Sequence, residues 1–83
     1  MRYIVDVFSG RDIAYTRMVS TKREARSIAY QHAYAVGNTR PVWCEPSAWP
    51  GDVRPDGAGE CIGGYDSSRN GGEAGAVVWR ATP

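Results

Sequence analysis

Ser20-Thr21-Lys22-Arg23-Glu24 opens, and Val36-Gly37-Asn38 closes, a stretch in which the start, the buried face and the stop of one helix can all be read. Thr21 followed three residues later by Glu24 is a capping box: the Thr hydroxyl accepts the Glu24 amide hydrogen while the Glu carboxylate reaches back. Such a cap contributes about 1 kcal/mol. Between the caps, Ala25, Ile28, Ala29, His32 and Val36 recur at helical spacing, and Gly37 can take the left-handed conformation that ends a helix. A helix of this length is marginal alone, so the stripe predicts a sheet for it to pack on.

Such a sheet can be read on both sides. Residues 2–8, Arg-Tyr-Ile-Val-Asp-Val-Phe, read as a strand with Tyr3, Val5 and Val7 on one face and Ile4 and Phe8 on the other. Ser9-Gly10-Arg11-Asp12 is a turn. Residues 13–19 alternate again, with Ile13, Tyr15 and Val19 sharing a face interrupted by Arg17. After the helix, Val42-Trp43-Cys44-Glu45 forms a third strand, and Pro41 places its start at a sheet edge. Glu60-Cys61-Ile62 is a short strand, and Ala76 to Arg80 a final one. Residues 46–59 and 63–75 read as long loops, since eight of the ten glycines lie beyond residue 50. The expected fold is therefore a single α+β domain over residues 1–83, one antiparallel sheet with one helix on one face, in the order ββαβ(β)β. A split βαβ arrangement with a parallel pair is the alternative.

Composition narrows the function. Hydrophobic residues make up 42% and charged residues 23% of 83 residues, a globular balance with room for only a small core. No apolar run approaches the roughly 20 residues that cross a bilayer, and the start Met1-Arg2-Tyr3-Ile4-Val5-Asp6 lacks a secretory pattern, so the expectation is a cytoplasmic protein with no membrane role. The net charge of +1 hides a polarised chain: residues 1–40 hold seven basic and three acidic side chains, residues 41–83 three basic and six acidic. Cys44 and Cys61 are expected to stay reduced in that compartment.

Catalytic parts are sparse. His32 lies on the apolar stripe, no serine sits in a nucleophile elbow, and no glycine-rich segment runs into Gly-Lys-Ser/Thr. His32, Cys44 and Cys61 match no zinc-ligand pairing. The sequence predicts a non-enzymatic protein without cofactor or metal. Binding residues are better represented: Arg23, Arg26, Tyr30 and Tyr34 fall in one sector opposite the apolar stripe, and Tyr and Arg are enriched in interface hot spots. Trp49, between Ala48 and Pro50, is a candidate anchor beside them, or a lid of the core. The competing reading is that the two tyrosines fold down over the sheet edge. Trp43 and Trp79, on strands, are expected in the core.

Two resemblances rest on these residues. Thr21-Lys22-Arg23-Glu24-Ala25 after two strands resembles the opening of the helix in AP2-like DNA-binding domains of phage integrases. That resemblance implies phosphate contacts from Arg2, Arg11 and Arg17. The layout of Tyr3 to Phe8, Thr21 to Val36, Val42 to Glu45 and Val77 to Arg80 is similar to that of small phage-encoded inhibitors, in particular anti-CRISPR proteins of type I systems. This second likeness implies a phage or mobile-element protein that sterically blocks a bacterial immune complex, a CRISPR-Cas effector, in the host cytoplasm. It is the leading expectation, with sequence-tolerant DNA binding second.

Overall fold

A computed structural model of the chain describes residues 2–10, 12–46, 53–67 and 74–82. Five strands and one helix follow in the order β1 (Tyr3–Ser9), β2 (Asp12–Val19), α1 (Lys22–Gly37), β3 (Val42–Cys44), β4 (Gly59–Asp66) and β5 (Ala74–Ala81). The strands form one sheet, β2-β1-β5-β4-β3, and every pairing is antiparallel. The parallel alternative is thereby excluded among the described residues. β3, begun by Pro41, is an edge strand as expected, and β5 is the centre of the sheet, which explains why its run is apolar on both faces.

The loop expected over 63–75 is shorter than the sequence suggests. β4 continues through Gly63, Gly64, Tyr65 and Asp66, and β5 already begins at Ala74. Glycines weaken strand signals but are tolerated where another group presses on the backbone. At Gly63, which has φ +135°, a Cβ would lie 2.2 Å from the Trp43 ring. Within 46–59, Val53 bridges to Glu60 and Arg54 to Ala58 make a turn; residues 47–52 lie outside the described residues.

One face of the sheet receives the helix. Val5, Val7, Val19, Ala76 and Val78 are buried against Ala25, Ala29 and Ala33. The helix therefore approaches through alanines, which let its backbone sit close to the sheet. Ile28 and Val36 flank this seam half-buried. His32, expected on the stripe, lies beside it: its ring stacks on Tyr15 of β2 at 4.4 Å, and Ala33 takes the seam position. The Thr21 cap forms as expected, with the Glu24 amide donating to Thr21 Oγ1 at 3.1 Å.

The stop is carried by Asn38, not Gly37. Asn38 takes the left-handed conformation (φ 51°) and its amide donates to the Tyr34 carbonyl at 2.8 Å, while Gly37 is the last helical residue. Glycine is needed at 37 for space, because a Cβ there would lie 2.1 Å from the Ser67 carbonyl oxygen at the end of β4. Gly37→Ala is accordingly expected to destabilise by about 1–3 kcal/mol, since the neighbour is backbone and must be displaced. A urea melt with an unchanged midpoint would contradict this close approach.

A second, smaller cluster lies on the opposite face, where Ile4, Cys61, Val77 and Trp79 pack with Phe8, Ala58 and Ala81. A register shift in β2 leaves Ala14 unpaired between Ile13, opposite Phe8, and Tyr15, opposite Val7. That bulge overturns the expected common face of Ile13, Tyr15 and Val19: Ile13 shares the face opposite the helix with Thr16 and Met18. Trp79 is buried as expected, but on this face.

Asp6, 3% exposed, is the polar centre of this cluster. It accepts hydrogen bonds from Thr16 Oγ1 (2.7 Å), Trp79 Nε1 (2.9 Å), Arg54 Nε (2.8 Å) and Arg54 Nη2 (3.0 Å). Burial pushes its carboxyl up, but the Arg54 and Thr16 hydrogen bonds, the Arg54 charge and the Trp79 hydrogen bond together leave it below its ordinary value. Arg54 also pairs with Asp56, so this network ties the turn after residue 53 onto the sheet.

Candidate functional site

The flank of the helix beside the alanine seam meets the β3–β4 edge in a row of aromatic side chains. The Arg26 guanidinium lies 4.3 Å over the Trp43 ring of β3. Trp43 meets Tyr65 of β4 edge to face at 5.0 Å, and Tyr65 meets Tyr30 the same way at 5.4 Å. Tyr30 then lies 6.4 Å from Tyr34, four residues along the helix, with rings tilted by 51°. Trp43 Nε1 donates to Glu45 Oε1 at 3.3 Å.

Each member is placed by a local cause. Arg26, Tyr30 and Tyr34 recur every four residues and so form one row. Trp43 and Tyr65 are register partners on β3 and β4, and their side chains share the helix-bearing face. Gly63 leaves the space that the Trp43 ring occupies against β4. The ridge is thus held by packing from helix and sheet together, which lowers the entropy lost when a partner immobilises it.

The four helix residues singled out in the sequence separate into two kinds. Arg23 and Tyr34 are exposed, Tyr34 at 47%, and are open to a partner. Arg26 and Tyr30 are half-buried, laid down on Trp43 and Tyr65, so the folded-down reading holds for Tyr30. Trp49 lies outside the described residues. Trp43 belongs to the ridge at the rim of the core. Tyr65 was hidden inside a glycine-rich stretch; its alternation with Gly63 in β4 is the signal that could have found it.

At the N-terminal end of the ridge Lys22, Arg23 and Arg26 line a shallow open depression. Among the described residues none of the three forms an ion pair; both ion pairs there belong to Arg54. Cys44 and Cys61 are not joined in a disulfide. Burial first, and the Asp66 carboxylate second, push the Cys44 thiol up, which keeps it protonated. Among the described residues no group of three or more His, Cys, Asp or Glu side chains could hold a metal ion, and no helix is long and apolar enough to cross a membrane.

No protein-family model matches the chain, and neither does any curated protein or solved structure.

Proposed function

We propose that this chain is a non-enzymatic protein-binding domain that docks through the Arg26–Trp43–Tyr65–Tyr30–Tyr34 ridge, with Arg23 at its basic end. The observation that carries this reading is the ridge itself, a continuous row of interface hot-spot residue types on a rigid helix–sheet edge. A protein partner suits it better than nucleic acid. Bases bind aromatic side chains by stacking on open ring faces. Here Arg26 occupies a face of Trp43, and the Trp43–Tyr65–Tyr30 contacts turn ring edges against ring faces. What remains for a partner is the exposed Tyr34 ring, together with hydroxyls and guanidinium donors, a mixed apolar and polar surface of the kind protein partners meet.

We further propose that the partner is a bacterial immune complex blocked sterically, the role implied by the layout likeness to type I anti-CRISPR inhibitors. The test is target cleavage by a reconstituted type I CRISPR-Cas effector at increasing concentrations of the chain, paired with direct binding measurements. Arg23→Glu and Tyr34→Ala, whose side chains are exposed, should each weaken binding by about 2 kcal/mol, roughly thirtyfold, at unchanged thermal stability. Arg26→Glu should cost stability as well, by about 0.5–1 kcal/mol for its contact with the Trp43 ring. Wild-type binding by all three variants removes the ridge from consideration. Tight binding of naked duplex that collapses with added salt would instead establish the DNA-binding reading. In that reading Arg2 lies just before β1, Arg17 lies on the neighbouring β2, and Arg11 lies outside the described residues.

A further inference from the structure

β2 is the other edge of the sheet, eight residues long and exposed except at Tyr15 and Val19. Its inner side pairs with β1, and alternate residues turn their N–H and C=O groups outward. Such an edge pairs with another strand unless it is blunted, commonly by Pro, by Lys, by charges or by a bulge, and the bulge at Ala14 is the one such feature of β2 that a partner strand must match. β2 has neither Pro nor Lys, and its two charged residues, Asp12 and Arg17, have opposite signs. Both are exposed, and neither is in an ion pair among the described residues.

The bulge makes these charges self-complementary. Residues five apart on a regular strand lie on opposite faces, but the extra residue Ala14 returns Asp12 to the face of Arg17 and Ile13 to that of Thr16. We infer that β2 pairs antiparallel with β2 of a second copy of this chain, about a two-fold axis between Ala14 and Tyr15. In that register Asp12 of each copy faces Arg17 of the other, and Ile13 of each faces Thr16 of the other, with every pair on a common face. The Thr16 hydroxyl is committed to Asp6 at 2.7 Å, so its methyl group is free to meet Ile13, which is 57% exposed. A slide that sets Thr16 against Met18 also matches faces but brings Arg17 against Arg17, and like charges directly opposite are destabilising. The association leaves the ridge free, because the ridge lies at the β3–β4 end of the sheet, away from β2. It is therefore independent of the proposed partner.

Sedimentation equilibrium of the full chain over a range of concentrations tests this pairing. The expected result is a monomer–dimer equilibrium. Either single reversal, Asp12→Arg or Arg17→Asp, sets like charges opposite each other twice and should raise the dissociation constant about tenfold or more. The double exchange Asp12→Arg with Arg17→Asp should restore it to within a few-fold. Arg17→Gln, which removes charge without reversing it, should fall between, and Arg26→Glu should leave dimerisation unchanged. A chain that stays monomeric up to about 1 mM overturns the inference. So does a dimer whose dissociation constant is indifferent to the single reversals.

Discussion

Ala29→Asp is expected to abolish the cooperative unfolding transition followed by far-ultraviolet circular dichroism at 25 °C. Ala29 is fully buried in the seam where α1 rests on the sheet, among Val5, Val7 and Val78. A carboxylate placed there gains no partner. It either remains charged and unsolvated or is protonated at a large cost, and it also overfills a site sized for one methyl group. Several kcal/mol lost from a domain of this size, whose total stability is about 4–12 kcal/mol, leaves little folded protein. Ile28→Asp should be milder, because Ile28 is half-buried at the side of the seam and a shorter polar chain there can reach water. Equal loss in the two variants would mean that the helix packs through Ile28, and the alanine seam would be wrong.

Removal of the Asp6 carboxylate is the second large effect. Asp6→Ala strands the Arg54 guanidinium, the Trp79 indole N–H and the Thr16 hydroxyl together on the face opposite the helix. Breaking one partner of a buried ion pair costs about 3–5 kcal/mol. For a domain of this size that lowers the melting temperature by roughly 12–40 °C. Replacing both partners, Asp6→Leu with Arg54→Leu, should recover most of the loss, since an apolar pair leaves no buried charge behind.

The pH dependence has a definite sign. The Asp6 carboxyl titrates below its ordinary value in the folded chain, so the folded state favours its ionised form. Its contribution is fully present above the unfolded carboxyl range near about pH 4 and is lost as pH falls through the lower folded value. Wild-type stability should therefore decline in acid, and Asp6→Asn should flatten that decline while lowering stability at neutral pH. An acid profile identical in wild type and Asp6→Asn would show that the Arg54 pairing contributes nothing to folding.

The ridge illustrates why a functional surface is only half visible in a sequence. Arg23, Arg26, Tyr30 and Tyr34 announce themselves because a helix repeats every 3.6 residues and its outward sector can be drawn from spacing alone. Trp43 and Tyr65 complete the row from two strands, and nothing in their own neighbourhoods says that they meet. Their pairing depends on the β3–β4 register and on Gly63 being without a side chain. Asp6 is a similar case. A lone acid in an apolar strand reads as a break in alternation, whereas its partner Arg54 lies 48 residues away in a proline- and glycine-rich stretch.

Local physics alone determined the helix and its Thr21 cap, the alternation of β1, the edge placement of β3 and the α+β class, because each depends on interactions between residues a few positions apart. Tertiary structure decided what depends on which distant backbone comes close. Ser67 comes so close to Gly37 that only glycine fits there, and the Ala14 bulge turned Ile13 to the other face. Pairing of β5 with β1 on one side and β4 on the other made it the sheet's centre and left β2 at the edge opposite β3. Strand order is set by the burial of whole faces against the helix, a global free-energy difference to which no short window of sequence has access.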